Sequence, residues 1–489
     1  MSKYSKSNGI ARYETVGNQY LRRRQLRRSA NWILLWALGV GSVISGDFSG
    51  WNFGLEAGGF GGLAIATLLM AIMYICMVYS IAELSAALPH AGGFYSFTRK
   101  AFGQLGGFVC GVSIIIEYVL GPSVVVFFIG SYLNTLLPGI PVPVWWLLFY
   151  SIFVYLNIRG VGIMLRAALI ITAIAAAVLV VFFVAAIFSG KFQYELLFNI
   201  PPATGNSKWL PNGWMGVFQS LPYAMWFYLA IEHLPMAAEE AHDTARDIPK
   251  ALLWSMGTLL TLSLFVLVLN TGVGGGAAAM GHTATPLAEG FSAIFGKGKV
   301  TVILTLLTLF GLVASFHTTI YSYGRALFSL SRAGYIPRWI SITSKAHTPA
   351  IAIILGAFVG LACTATIQFA GKTIGATLLN MTVFGAVISY IMVMISYIKL
   401  KLTHSELPRP YQSPLGIGGA VVGTILSIIA LFACFCNPEY RPGVWGILLF
   451  FGFMILYFLL YSRKKLVAKA PEEENMLLAR ALRELEGHS

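Results

Sequence analysis

The stretch Val43-Ile44-Ser45-Gly46-Asp47-Phe48-Ser49-Gly50 interrupts a long apolar run with small residues and one carboxylate, and the same run holds Gly39, Gly41 and Gly54. A second such stretch, Trp226-Phe227-Tyr228-Leu229-Ala230-Ile231-Glu232-His233, lies between Pro222 and Pro235. A continuous helix satisfies its own backbone and offers a solute nothing polar. Unwinding at mid-membrane frees N–H and C=O groups, which is tolerable only beside a cavity or inside protein. Interrupted helices in corresponding positions of two halves therefore point to a binding site. Freed N–H groups suit anions, and freed carbonyls suit cations. Gly46 fits a close backbone approach to a ligand, whereas Gly39 and Gly54 read as packing glycines.

The chain is 57% hydrophobic and 11% charged, with a mean hydropathy of +0.75. A soluble domain carries about 25% charged residues, so lipid must cover part of this surface. Residues 166–189 read RAALIITAIAAAVLVVFFVAAIFS, longer than the roughly 20 residues that cross a bilayer. The pattern predicts twelve helical spans at about 31–53, 60–88, 106–136, 141–157, 163–189, 214–237, 250–273, 301–332, 349–369, 374–400, 416–437 and 443–462. With the amino terminus inside, 27 of the 33 Lys and Arg lie at the inner face and 6 at the outer, as the positive-inside rule requires. Both termini are thus expected in the cytoplasm. The net charge of +14 follows from this asymmetry and does not call for nucleic acid. The cluster Arg22, Arg23, Arg24, Arg27 and Arg28 reads as a topology and lipid-headgroup anchor.

Spans one and six, which hold the two interruptions, are five spans apart. An odd offset places two repeats in opposite orientation. The expected class is an all-α polytopic membrane protein with a five-plus-five inverted repeat and two appended helices. Its parts are a basic tail (1–30), a first repeat (31–189), an outer loop (190–213), a second repeat (214–400), the appended helices (401–462) and a tail (463–489). The outer loop, with Pro201, Pro202, Gly205 and Pro211, should be irregular. The last tail can form a charged amphipathic helix, though a solvated tail is the simpler reading. Cys76, Cys110, Cys363, Cys434 and Cys436 all fall in apolar spans and give no disulfide framework. No metal or cofactor motif is read.

Charged groups deep in a span cost roughly 2.5–3.5 kcal/mol even on the lenient scale, and so face a cavity or a partner. Asp47, Glu83, Glu117 and Glu232 are the candidates. No Lys or Arg lies deep in spans one, three or six to neutralise them, which favours an external cation: a substrate ammonium, a proton or Na⁺. A fixed anion at Asp47 opposes a substrate carboxylate and attracts an ammonium, although Asp47 can equally cap the half-helix that follows. Glu117 precedes Tyr118 and the pair Gly121-Pro122, expected to bend span three; it reads either as a ligand or as a structural proton-bearing group. Glu232 reads as a gate or coupling group, against a buried hydrogen-bonded Glu. Glu83, near the inner end and followed by Pro89, reads as structural. Trp226 and Phe227 can attract an ammonium or close over it. Asp47 and Glu117 are expected to counter the ammonium, backbone around Ser45 and Gly46 to take a hydroxyl, and Trp226 to occlude. An embedded enzyme would need facing nucleophile and base or metal ligands, of which none is found. A channel would favour rings of residues about an oligomer axis.

Several motifs carry a family likeness: Ile81-Ala82-Glu83-Leu84 through Pro89, Gly92-Gly93 and Tyr95 to Ala101-Phe102-Gly103; Asn157-Ile158-Arg159-Gly160; Ala238-Glu239-Glu240 leading to Ile248-Pro249; Arg325-Ala326-Leu327 with Arg332-Ala333-Gly334-Tyr335-Ile336-Pro337; and Arg409-Pro410-Tyr411. Together they resemble the amino acid–polyamine–organocation superfamily over most of residues 31–462. Ser45-Gly46-Asp47-Phe48-Ser49-Gly50-Trp51-Asn52-Phe53-Gly54-Leu55, and Glu117-Tyr118-Val119-Leu120 with Gly121-Pro122, resemble the bacterial ethanolamine permeases. The resemblance implies a twelve-helix fold of the leucine-transporter type in the bacterial inner membrane, working by alternating access. It implies substrate contact at Ser45, Gly46, Glu117, Tyr118, Trp226, Phe227 and Ala230, with Trp226 as gating aromatic and Glu232 as the span-six carboxylate. Asp47 stands where the family usually has an apolar residue, which argues for an amino alcohol such as ethanolamine over an amino acid. An amino acid or polyamine permease or exchanger is the alternative. Some relatives carry a Lys in span five, and none stands between Ala167 and Ser189 here. Ser315 and His317 fall near that region, so proton coupling, sodium coupling, exchange and uniport stay open. His317 reads equally as a satisfied buried histidine.

Overall fold

A computed structural model describes residues 4–8, 11–14, 20, 23–24, 26, 30–89, 92–369, 374–438, 441–467 and 470. The predicted interruptions appear where the sequence places them. Span one is α1 (Trp32–Val43) and α2 (Ser45–Phe48), joined through Ile44. At Ser49 the backbone becomes extended, with φ −164° and ψ 157°. Residues 49–52 turn before α3 (Phe53–Ala87), in which Gly59, at φ 68°, marks a second change of direction. Span six is α7 (Gly213–Trp226), an irregular turn over 227–230, and a 3-10 helix over Ile231–Glu240.

Between the breaks run α4 (Phe94–Leu136), α5 (Val142–Ile158) and α6 (Val161–Phe188). After the second come α8 (Thr244–Thr271), the short α9 (Gly276–Met280) and α10 (Pro286–Phe295), α11 (Lys299–Ala333), α12 (Ala350–Phe369), α13 (Ile374–Thr403), α14 (Gly416–Ala433) and α15 (Arg441–Leu460). Helix starts follow local chemistry: Asn31 accepts from the Leu34 N–H and Asp243 from the Arg246 N–H, each satisfying a donor the helix cannot. In α4 the non-helical dihedrals fall at Gly103, with φ 75°, while helical backbone continues through Gly121 and Pro122. The expected bend at Gly121-Pro122 is thus not where α4 leaves helical geometry.

Among the described residues eight helices are long and apolar enough to cross a membrane, and the stretches Trp32–Phe48, Val142–Ile158 and Ala350–Thr366 are shorter apolar helices. Large apolar side chains stand on the outside, Phe369 89% and Phe188 81% exposed, as lipid contact permits and water would not. The chain is a predominantly helical, multi-pass membrane protein. In the bundle α4 packs on α13 and α11, α3 on α7, and α1 on α8 and α6.

One feature outside the helices was not expected. The strands β1 (Tyr4–Asn8) and β2 (Ala11–Glu14) pair antiparallel, and β2 pairs in parallel with β3 (Leu466–Val467). Arg24 is turned into the protein, donating to Ser341 Oγ and to the carbonyls of Tyr20 and Arg338. Its expected role as a headgroup anchor therefore gives way to a clamp on residues 338–341. Arg22, Arg27, Arg28 and the possible helix of the last tail lie outside the described residues.

Glu83, on α3, is a structural hub. It accepts from Lys401 Nζ at 2.9 Å, Arg409 Nη1 at 2.7 Å, Tyr397 Oη at 2.7 Å and the Ser413 N–H at 2.8 Å. It thereby ties α3 to the end of α13 and to the segment after it. Removing one partner of a buried ion pair strands the other charge. Glu83→Ala is therefore expected to lower unfolding stability in detergent by about 3–5 kcal/mol, with Glu83→Gln milder. Chemical denaturation checks this, and an unchanged midpoint for Glu83→Ala would remove the hub.

Candidate functional site

The two breaks touch. A Cβ at Gly46 would sit 2.2 Å from the Trp226 carbonyl oxygen, so only glycine lets the backbones approach this closely. Trp226 Nε1 donates to the Ser49 carbonyl at 3.0 Å, a second tie from break to break. The first break is bridged from α11: Ser315 Oγ accepts from the Ser45 N–H at 3.0 Å and donates to the Gly41 carbonyl at 2.8 Å. The second break is held by its own glutamate. Ala230 has φ 86°, a region rarely used by residues other than glycine. Its N–H donates to Glu232 Oε1 at 3.1 Å, which compensates for the strained dihedral.

Where the breaks meet α4 lies a small cavity of about 20 Å³, little more than one water requires. Ser42, Val43 and Ser45 line it from the first break, and Trp226, Leu229, Ala230 and His233 from the second. Glu117, Gly121 and Val125 line it from α4, one helical turn apart and so on one face. Thr319 of α11 and Thr382 of α13 complete the wall.

Glu117, Glu232 and His233 each present a ligand atom, and these atoms lie within 4.8 Å of one another. All three residues are buried. Both oxygens of Glu117, Oε2 of Glu232 and both ring nitrogens of His233 lack a hydrogen-bond partner. Buried polar atoms are rarely left so. With two carboxylates and an imidazole, the cluster has the chemistry to hold a cation or to accept hydrogen bonds from a solute. The lysines and arginines that pair with buried acids do so elsewhere: Arg325 with Glu240, Arg332 with Glu239, and Lys401 and Arg409 with Glu83.

Of the predicted residues, Ser45, Glu117, Trp226 and Ala230 reach the cavity wall. Gly46 serves the contact between the breaks. Glu232 stands behind the wall in the cluster. Tyr118 packs its ring edge-on to His233, centroids 4.2 Å apart, and Phe227 stacks on Trp51 at 5.4 Å; neither lines the cavity. Asp47 is buried with no partner for either oxygen and is not in the wall. Ser315 supports the break. His317 lies against α5 and α6, its Nδ1 3.1 Å from Asn157 Nδ2 and its Nε2 3.2 Å from the Met164 carbonyl; both ring nitrogens are engaged away from the cavity. Sequence reasoning missed His233, Thr319 and Thr382. Only His233 carried a signal, its place beside Glu232 in the break; single threonines in apolar helices carry none.

A family profile described as amino acid permease matches residues 31–461. An uncharacterized transporter of Rhizobium meliloti is 30% identical over 65% of this chain and 69% of its own length. The branched-chain amino acid permease BcaP of Bacillus subtilis is 24% identical over 90% of this chain and 94% of its own. The aromatic amino acid transport protein AroP of Escherichia coli strain K12 is 24% identical over 86% and 93%.

The contact at Gly46 yields a direct test. Gly46→Ala forces backbone apart by about 1 Å to restore normal contact distance, so solute uptake should be lost while the protein still folds. Gly62→Ala, whose Cβ would meet nothing nearer than 3.7 Å, should leave uptake near wild type. Uptake into proteoliposomes reads both; wild-type activity in Gly46→Ala would mean the breaks need not touch.

Proposed function

This chain belongs to the amino acid permease family, and from that premise we propose that it carries ethanolamine by alternating access at the junction of its two broken helices. That it is a transporter and not an enzyme follows from the family; the cargo, the twelve-span count, the five-plus-five inverted repeat and the bacterial inner-membrane location are our reading.

One observation carries the cargo: an acidic cluster at the cavity, Glu117 with Glu232, has no Lys or Arg partner among the described residues. An ammonium supplies the missing charge. The Ser45 N–H, which could otherwise receive a substrate carboxylate, is already taken by Ser315 Oγ. The hydroxyl of an amino alcohol has Ser45, Thr319 and Thr382 as polar neighbours on the wall. Glu117 takes the ammonium in this reading, and Trp226, joined to Ser49, closes over it. Opening to one side separates the breaks from their supports while α4 and α11 hold still, and the opposite movement follows on the other side. The positive-inside pattern puts the end of the bundle bearing Arg325 and Glu240 in the cytoplasm.

A second reading has one specific support. Relatives named for branched-chain and aromatic amino acids favour an amino acid, whose carboxylate would then need donors other than the Ser45 N–H. Competition separates the two: excess leucine or phenylalanine should leave ethanolamine uptake unchanged. If either is itself carried and abolishes ethanolamine binding, the amino acid reading replaces ours. A hydrogen bond to a charged group contributes about 1.5–3 kcal/mol, so Glu117→Gln should weaken ethanolamine binding about tenfold to a hundredfold by calorimetry on the purified protein. Unchanged affinity would take Glu117 out of the site.

A further inference from the structure

Asp47 is a buried acid that the solute cavity does not use. It is fully buried, and neither carboxylate oxygen has a hydrogen-bond partner. It lies outside the Glu117–Glu232–His233 cluster and outside the cavity wall. Its four-residue helix α2 packs against α11, α8 and α1. The packing is tight: a Cβ at Gly311 of α11 would lie 2.2 Å from the Phe48 ring.

No titratable group in these neighbours compensates Asp47. α1 carries none, α8 none from Ser255 to Thr271, and α11 none from Val300 to Phe316. His317, next along α11, is engaged by Asn157 and Met164. Tyr228 of the second break has its hydroxyl bonded to Ser263 Oγ at 2.9 Å. On α4 the Tyr132 hydroxyl donates to the Phe48 carbonyl at 2.9 Å, and beyond it Glu289 of α10 is exposed.

An ionised carboxylate in such a place costs several kcal/mol, and a buried charge without a partner is ordinarily neutralised instead. A hard metal cation would gather about six oxygen ligands, and Asp47 belongs to no group of three or more acidic, histidine or cysteine side chains among the described residues. A proton needs only the carboxylate. The residues next in sequence hold the first break shut. Ser49 accepts from Trp226 Nε1, its Oγ lies 3.0 Å from the Ala284 carbonyl, and Asn52 donates to the carbonyls of Met280 and Thr283. Ionising Asp47 in place favours any movement that wets it, and the nearest such movement undoes these bonds.

We propose that Asp47 is a proton-binding site separate from the solute cavity, loaded from outer water while the first break is open to that side, occupied while the break is closed, and emptied when the junction opens to the inner side, so that solute movement is coupled to a proton. The carboxylate takes its proton from water on the outer side and returns it to water on the inner side. No other bond changes. By linkage, a ligand that binds one state better shifts the equilibrium toward it, so protonation favours the closed break and an acidic outside drives uptake. This rests on the transport reading above but not on which amine is carried.

The test uses the purified full-length protein and Asp47→Asn, in proteoliposomes and by difference infrared spectroscopy. Wild type should accumulate ethanolamine when the lumen is alkaline. Asp47→Asn should lose that accumulation at least tenfold yet keep ethanolamine exchange without a gradient, and Asp47→Glu should restore part of the pH drive. The difference spectrum should contain a protonated carboxyl band that Asp47→Asn removes. The proposal is overturned if Asp47→Asn still accumulates solute down a pH gradient, if a sodium gradient and not pH drives uptake, or if the variant folds but loses ethanolamine binding, which would make Asp47 a solute ligand. If wild type carries no ethanolamine at all, the cargo reading fails by itself. The infrared band then decides Asp47 alone, its presence supporting the proton site and its absence removing it.

Discussion

Everything in this protein depends on two stretches of unwound backbone at membrane depth, pressed together at Gly46 and the Trp226 carbonyl. In a bilayer no water is at hand to satisfy freed backbone groups, and each one left bare costs several kcal/mol. The fold meets that cost with side chains brought from elsewhere in the chain. Ser315 bridges the Ser45 N–H and the Gly41 carbonyl, Trp226 reaches Ser49, Tyr132 reaches Phe48, and Glu232 reaches back to Ala230. The helices around the breaks frame these contacts. Their length and apolar surface make a membrane protein, and the contacts make a site within it.

The buried acids divide by position. At one end of the bundle Glu83, Glu239 and Glu240 all sit on Arg or Lys. These pairs join elements far apart in sequence, and buried ion pairs of this kind specify geometry more than they add net stability. At the breaks Asp47, Glu117 and Glu232 have no such partner, although Glu232 keeps one backbone bond. The same residue type is therefore a fastener where a cation is built in and stands without a cationic partner at the breaks. The cavity, about 20 Å³, is too small for a solute larger than water unless the junction widens.

Much of this was legible in the chain itself. The apolar runs gave most helices close to their predicted ends, because crossing lipid requires about 20 apolar residues and internal backbone pairing, but α3 and α4 begin well before the expected 60 and 106, at Phe53 and Phe94. The positions of both breaks were legible as well, since glycine, proline and a mid-span acid are unfavourable there without a reason. The lack of Lys or Arg in the spans of Asp47, Glu117 and Glu232 pointed to their being without a cationic partner but could not settle it, because Glu83, whose span also lacks them, takes Lys401 and Arg409 from elsewhere. The bend expected at Gly121-Pro122 was not legible: a proline can be accommodated in a membrane helix, whereas Gly103 actually leaves helical dihedrals.

What the sequence determined alone was every property that depends on local composition: membrane class, helix limits, the sites of unwinding and the family likeness. What only the tertiary structure decided was direction. Asp47 and Ser45 are two residues apart on one helical turn, so they point to different faces, and neighbouring helices alone could put Ser45 in the cavity wall and Asp47 outside it. The same holds for His233, which joins Glu117 across more than a hundred residues, and for His317, whose partners Asn157 and Met164 lie on other helices. A side chain's chemistry is written in its own position, but what it faces is set by segments far along the chain.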